Sequence, residues 1–156
     1  MVKVLVMSDS HGAKAAMLEI VSMENPDFII HLGDYVRDCD AIEEKFPEIP
    51  LRRIRGNGDF SSVAPVDDIF VLENQIFFAT HGHTHSVKSG LSRLVDYTKN
   101  AKMGIVLFGH THTPHCDISE NSALINPGSV HPSEGGSYAV LSLAANGELS
   151  CEMKNL

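Results

Sequence analysis

Histidines recur in short loops along this sequence, at spacings that suit metal binding. His110-Thr111-His112 follows an apolar run and a glycine, and His81-Gly82-His83 repeats that arrangement. Two histidines directly after a buried strand are costly unless they are paired or act as ligands. Seven of the nine histidines lie between His81 and His131, and histidine is the commonest metal ligand. This clustering indicates a site with metal or acid–base chemistry.

Three further loops offer oxygen ligands, although each has a simpler interpretation when taken alone. Asp9-Ser10-His11 has the residue types of a helix N-cap. Gly33-Asp34 and Gly56-Asn57-Gly58-Asp59 have the composition of tight turns. Chance would nevertheless have to place five such loops, each at the end of an apolar run. We therefore favour the hypothesis that these loops meet at one site.

The donor types of the five loops narrow the class of metal. Carboxylates, imidazoles and a side-chain amide, with no thiolate, suit Mn, Fe, Ni or Zn in an open catalytic site. More than four candidate ligands imply two ions. Two ions about 3.5–4 Å apart can hold the attacking and leaving oxygens of a phosphoryl displacement. Such a pair needs a shared carboxylate, for which Asp34 is the central candidate.

Short apolar runs alternate with polar, Gly-containing segments, and these runs must position the loops. Strands are predicted over 2–7, 28–32, 51–55, 105–108 and 123–125, and hairpins over 69–80 and 138–153. Helices are predicted over 13–23, 40–46 and 89–99, the first burying Ala16, Ile20 and Met23. Ligands of open α/β sheets bind beyond the carboxyl ends of strands. The pattern therefore predicts a mixed sheet, or two packed sheets, with helices outside and one convergent site.

Length and composition set the broad class of protein. The 156 residues fit one domain, and the 43% hydrophobic and 21% charged shares are ordinary for a globular protein. The net charge of −8 disfavours nucleic-acid polymers and anionic membranes as partners. Three scattered cysteines without a C-x-x-C pair argue against a disulfide framework and favour a reducing cytoplasm. No run approaches the roughly 18 apolar residues of a membrane span.

The five motifs, in this order, resemble those of the calcineurin-like metallophosphoesterases over about residues 4–143. The short length and Asn126-Pro127-Gly128-Ser129 resemble the small prokaryotic phosphodiesterase branch of that superfamily. This resemblance implies a four-layer α/β/β/α sandwich of two mixed sheets flanked by helices, as a single domain over 1–156. It also implies hydrolysis of a small phosphodiester by in-line attack of a hydroxide that bridges two metal ions.

The resemblance also assigns roles to individual residues. Two divalent ions are implied, with Mn as first choice and Fe, Ni or Zn as alternatives, held by Asp9, His11, Asp34, Asn57, His81, His110 and His112. Asp34 would bridge the ions. Asn57 and His83 would complete the catalytic set and, with Arg55, contact the substrate. Asp59 is expected to orient a ligand histidine rather than to bind metal.

Two departures from the family pattern leave alternatives open. Many relatives carry His or Cys, a possible proton donor, where this chain has Gly58. His83 or a water would then donate a proton to the leaving oxygen, or the enzyme would favour esters with good leaving groups. An Arg often found after the Ser129 loop is also missing; His131 is a candidate for a place near the site, although the sequence favours a position away from it. Phosphomonoesterase activity, a non-catalytic scaffold that binds a protein partner, and a homo-oligomer remain alternatives.

Overall fold

The computed structural model describes residues 1–156 of the chain. It contains two sheets and three α-helices, in the order β1 (Val2–Met7), α1 (Lys14–Glu24), β2 (Phe28–His31), α2 (Cys39–Lys45), β3 (Leu51–Arg53), β4 (Asp67–Leu72), β5 (Gln75–Thr80), α3 (Ser92–Asn100), β6 (Ile105–Leu107), β7 (His115–Ser119), β8 (Ser122–Asn126), β9 (Ser137–Leu143) and β10 (Leu149–Asn155). No helix is long and apolar enough to cross a bilayer.

Each sheet has five strands, three of which are adjacent and parallel. The first sheet has the order β10-β9-β1-β2-β3, in which β1, β2 and β3 are parallel. The second has the order β4-β5-β6-β8-β7, in which β5, β6 and β8 are parallel and the two edge strands are antiparallel. Since parallel strands end at the same edge of a sheet, each sheet delivers three loops to one edge.

Alternating side chains on β1 show how the layers pack. Val4 and Val6 face the apolar cluster between the two sheets, while Leu5 and Met7 belong to a second cluster with Met17 and other residues of α1 and α2. A third cluster packs α3 against the outer face of the second sheet. The predicted α/β/β/α sandwich of two mixed sheets is confirmed.

Two details of the sequence prediction were wrong. Met23, expected in the core, is 59% exposed, because α1 buries the i, i+3, i+4, i+7 face that begins at Met17. The strand β7 was not predicted, since it is an exposed edge strand whose one large aliphatic side chain, Ile118, is itself 41% exposed.

A buried carboxylate at the end of α1 ties the helix to the first sheet. Glu24 accepts hydrogen bonds from the Tyr138 hydroxyl at 2.9 Å and from Lys154 Nζ at 3.0 Å. Lys3 Nζ lies 2.8 Å from the other carboxylate oxygen. Burial alone would raise the pKa of Glu24, but these partners outweigh it and lower the pKa to about 2.

Candidate metal centre

Backbone hydrogen bonds join the loops that follow the parallel strands of both sheets. Asp9 N–H donates to Gly33 C=O at 2.9 Å within the first sheet, and Gly109 N–H donates to His81 C=O at 3.0 Å within the second. Between the sheets, Val130 N–H donates to Ser8 C=O at 3.0 Å. Hydrogen bonds therefore connect these loops into one region, as expected for loops at the carboxyl ends of parallel strands.

Asp9, His11 and His112 form the first ligand group. Asp9 Oδ1 lies 3.1 Å from His112 Nε2 and 3.9 Å from His11 Nε2. Asp9 Oδ2 accepts from Ser8 Oγ at 2.5 Å and from His110 N–H at 3.1 Å, which turns Oδ1 toward the imidazoles. The helix-cap interpretation fails, because the N-cap of α1 is Ala13 and no side chain bonds there.

His81 is the centre of the second ligand group. Its Nδ1 lies 2.7 Å from Leu32 C=O, and because a carbonyl only accepts, this nitrogen carries the proton. In the neutral ring, Nε2 then presents a lone pair. That nitrogen lies 3.1 Å from both Asn57 Oδ1 and His110 Nδ1. Several acceptor atoms thus converge on a point where a cation would satisfy them together.

Asp34 lies between the two groups and reaches both. Its Oδ2 is 3.9 Å from His11 Nε2, and its Oδ1 is 3.5 Å from His81 Nε2. Gly58 N–H donates to Asp34 Oδ1 at 2.9 Å and holds the carboxylate in this position. The geometry therefore suits a carboxylate shared by two ions.

The charge balance of the cluster fits divalent cations. Asp9 is fully buried and Asp34 is 7% exposed, yet no Lys or Arg nitrogen lies within 4 Å of either carboxylate. His11 Nε2 is buried without a hydrogen-bond partner. Buried anions and lone pairs are costly unless they are paired or coordinate metal. The donor set of oxygens and imidazoles fits two such ions.

The backbone of the ligand loops is held in an uncommon conformation. Positive φ angles between 45° and 69° occur at five of the candidate ligands: Asp9, His11, Asp34, His110 and His112. Such left-handed conformations cost energy for non-glycine residues and cluster at functional sites. Gly56 is needed for a different reason, because a Cβ there would collide with the carboxylate of Asp34.

Burial also sets the charge state of two histidines in the cluster. Desolvation, with the nearby His81 ring adding to it, lowers the pKa of His110 to about 4. The same two causes lower the pKa of His83. Neutral imidazole is the form that ligates a metal, so His110 is poised for that role.

The residues predicted to contact substrate lie around this cluster. Asn57 is exposed, and its Oδ1 touches His81 Nε2. His83 lies with its ring centroid 5.5 Å from that of His81, and its Nδ1 is buried without a partner. Arg55 is half-buried, and its Nη1 donates to Ser62 C=O at 3.3 Å, beside the same loop.

The role expected for Asp59 was wrong. Its two carboxylate oxygens accept from Val36 N–H at 3.0 Å and Gly56 N–H at 2.9 Å, and it bonds no histidine. Asp59 therefore ties the Asp34 loop to the Asn57 loop. In this short Gly-x-Gly-Asp turn, backbone N–H groups are nearer partners for the carboxylate than any imidazole is.

Glu134, which the sequence analysis did not name, reaches the cluster. Glu134 Oε2 lies 3.2 Å from His112 Nδ1 and 3.9 Å from His11 Nε2. The His131 side chain instead accepts from Ser133 N–H and caps a turn of 3-10 helix. The only signal for Glu134 was its closeness in sequence to the Asn126–Ser129 motif, because a single acidic residue in an exposed turn has no distinctive pattern.

Asn126 explains why that motif accompanies the ligand loops. Its Nδ2 donates to Gly109 C=O at 3.1 Å and to Thr111 Oγ1 at 2.9 Å, on both sides of His110. Its Oδ1 accepts from Gly128 N–H at 2.8 Å. The fully buried Asn126 thus holds the His110–His112 loop in place.

Residues 2–146 match the family model of the calcineurin-like phosphoesterase superfamily domain. The chain belongs to this superfamily. A probable metallophosphoesterase of Mycoplasma pneumoniae is 32% identical over 133 residues, 83% of this chain and 80% of that protein. Phosphodiesterase YfcE of Escherichia coli is 27% identical over an alignment of 175 positions, 96% of this chain and 91% of that protein.

Solved structures agree on the fold. A Thermotoga maritima protein has a TM-score of 0.69 and 31% identity, with both chains covered completely. Zinc-bound Vps29 of Entamoeba histolytica has a TM-score of 0.75 at 17% identity, covering 97% of this chain and 98% of that one. An identity this low carries the fold alone. The predicted superfamily is confirmed, and one of the relatives named above is a phosphodiesterase.

Proposed function

We propose that this protein is a phosphodiesterase that uses two divalent transition-metal ions to hydrolyse a small phosphodiester. The observation that carries the proposal is the position of Asp34, whose two oxygens lie within 4 Å of imidazoles from both ligand groups and of no Lys or Arg. A shared carboxylate of this kind is what a two-metal hydrolytic site requires. Manganese is our first candidate, with iron, nickel and zinc as alternatives.

The ligand groups would divide between the ions as the superfamily resemblance implies. Asp9, His11 and His112 would hold one ion. Asn57, His81 and His110 would hold the other, and Asp34 would contact both. The shortest distances support this division: His112 Nε2 lies 3.1 Å from Asp9 Oδ1, and His81 Nε2 lies 3.1 Å from both Asn57 Oδ1 and His110 Nδ1.

The chain's residues would bind and orient the ester around this centre. When bound, the ions would lower the pKa of a water for in-line attack on phosphorus and would neutralise charge on the phosphate. Asn57, His83 and Arg55 would contact the phosphate. Since Gly58 has no side chain to donate a proton, esters with good leaving groups should react best.

Turnover of two aryl phosphates tests this proposal. The metal-free protein should be reconstituted with Mn²⁺ and assayed with bis-p-nitrophenyl phosphate and p-nitrophenyl phosphate. Metal-dependent hydrolysis that favours the diester supports a phosphodiesterase. A preference for the monoester would instead support a phosphomonoesterase of the same mechanism, and no hydrolysis of either would contradict the proposal.

A non-catalytic scaffold is the second candidate function, because the shared fold by itself does not separate a scaffold from an enzyme. Turnover separates the two, because a scaffold would bind Mn²⁺ without metal-dependent hydrolysis. We further propose that the protein is a single domain, lies in the cytoplasm and acts on a small phosphate ester. Its net charge of −8 disfavours nucleic-acid polymers and anionic membranes as partners. A homo-oligomer stays a prediction for light scattering to test.

A further inference from the structure

A cavity of about 470 Å³ opens beside the candidate metal centre, between the loops that follow β2 and β3. Gly58 lines this cavity and also donates to Asp34 Oδ1. Tyr35 lines it too, and its ring centroid lies 5.2 Å from that of His11. The cavity therefore adjoins the ligand cluster at two points, and its volume falls in the usual range for small-molecule sites.

Gly58 lies between the cavity and Asp34, whose carboxylate it contacts through its N–H. A Cβ at this position would lie 3.2 Å from Asp34 Oδ1, so any side chain there would crowd the Asp34 carboxylate. Asp59 fixes the cavity floor, because it bonds Val36 N–H on one loop and Gly56 N–H on the other. The two walls are thus held together by a buried carboxylate.

The walls of the cavity combine aromatic rings with one unpaired cation. Phe60 is 91% exposed and Tyr35 is 36% exposed. The Arg37 guanidinium lies 5.4 Å from the Tyr35 ring centroid and takes part in no salt bridge, unlike Arg53 in the same wall, which pairs with two carboxylates. The exposed Phe60 ring, beside a Tyr35 ring that carries the Arg37 guanidinium, suits a flat aromatic group attached to a phosphate.

We propose that this cavity binds an aromatic ring carried by the phosphodiester, with the ring against Tyr35 and Phe60 and the phosphate at the metal centre. The proposal rests on the proposed function for the phosphate end only. A nucleobase and an aryl ester share the required chemistry, which is a planar π-face close to an anion. Ring stacking on aromatic side chains gives useful affinity without demanding one particular base.

A fluorescent reporter tests ring binding without any turnover. The chain contains no Trp, so Phe60→Trp introduces a single emitter in the cavity wall at a position where exposure spares the fold. Tyr97→Trp, at an exposed aromatic on α3 that does not line the cavity, is the matched control. Both proteins are titrated, without metal and with Mn²⁺, with adenosine 5′-monophosphate, phenylphosphonate and ribose 5-phosphate.

We expect adenosine 5′-monophosphate or phenylphosphonate to change the indole emission of the Phe60→Trp protein with an affinity at least about tenfold above that of ribose 5-phosphate, which has no aromatic ring. Whichever ring binds more tightly identifies the source as a nucleobase or an aryl ester. Equal affinities for all three probes, or an equal response from the Tyr97→Trp protein, would overturn the proposal.

A kinetic measurement distinguishes failure of this proposal from failure of the proposed function. In the Mn²⁺-loaded enzyme, Phe60→Ala should raise KM for bis-p-nitrophenyl phosphate about tenfold with little change in kcat, because the ring binds but does not react. An unchanged KM beside normal turnover would refute the ring site alone. Ring-dependent emission beside absent turnover would refute the proposed function alone.

Discussion

Two buried carboxylate clusters lie toward opposite ends of β1 and differ in how their charge is balanced. At the first end, Glu24 is compensated by two lysines and a tyrosine hydroxyl within 3.0 Å. At the other end, Asp9 and Asp34 face imidazoles, backbone N–H groups and the Ser8 hydroxyl, and no cationic side chain. The first cluster is complete as folded, whereas the second lacks cationic partners within the chain.

This contrast separates a structural charge cluster from a functional one. A compensated carboxylate stabilises the fold and has its pKa held low, as that of Glu24 is. A cluster of anions and lone pairs on left-handed backbone is costly, and it is retained where binding a cation offsets the cost. Burial of carboxylates is therefore less informative about function than the identity of their partners.

Asp34→Asn should have the largest effect and should separate the two clusters most sharply. Asparagine tolerates the positive φ at this position and can still accept from Gly58 N–H, so the fold should be retained. Loss of the shared carboxylate should lower kcat/KM for bis-p-nitrophenyl phosphate about 10³-fold. Glu24→Gln is the control and should keep near-normal kcat/KM. Wild-type turnover by Asp34→Asn would contradict the bridging role.

Mn²⁺ should stabilise the wild-type protein through the functional cluster. Ligand at about 100 times Kd adds about 2.7 kcal/mol to the free energy of unfolding, which raises Tm by about 5–10 °C for a chain of this length. Differential scanning calorimetry with and without Mn²⁺ measures this shift. The shift should persist in Glu24→Gln and fall by at least half in Asp34→Asn; equal shifts in both variants would break the comparison.

Glu24→Gln should destabilise the fold by about 1–3 kcal/mol at pH 7, with the lower values reflecting solvent screening of the two half-exposed lysines. The folded pKa of about 2 lies below the ordinary 4.5, so this stabilisation is complete above pH 4.5 and is lost as pH falls toward 2. Urea unfolding should show that the free energy of unfolding of the wild type exceeds that of Glu24→Gln by less at pH 3 than at pH 7. Glu152→Gln, on the exposed face of β10, should cost under about 0.5 kcal/mol.

Glu134→Gln should have the smallest effect of the four changes. The carboxylate beside His112 Nδ1 favours the tautomer whose Nε2 faces Asp9, and loss of such a partner weakens metal binding about 10-fold. Mn²⁺ affinity, measured by calorimetric titration, should fall while Tm of the metal-free protein stays unchanged. Glu44→Gln, at an exposed site on α2, is the control; equal affinities for the two variants would remove Glu134 from the site.

The sequence predicted the strand ends and the ligand loops because both leave local signals. Apolar runs followed by Asp, His or Asn mark β1, β2 and β6, and the same loops meet in the structure. The edge strand β7 left no such signal, because its side chains are mostly exposed. Burial of Glu24 was equally hidden, since its partners lie 21 to 130 residues away in sequence.

The errors at the site have a common physical cause. Asp59 was misjudged and Glu134 was missed because their partners are decided by which loops lie side by side, and no local pattern encodes that packing. The cavity beside Gly58 arises in the same way from two separate loops. Single residues at strand ends can therefore be predicted, whereas the surroundings of those residues depend on the tertiary structure.

The most direct measurement of the central claim is the number of Mn²⁺ ions that the metal-free chain binds at equilibrium, followed by electron paramagnetic resonance. We expect two ions per chain, with a spin-coupled signal that disappears in Asp34→Asn. Saturation at no more than one ion, or a coupled pair that survives in Asp34→Asn, would contradict a two-metal centre built around that carboxylate.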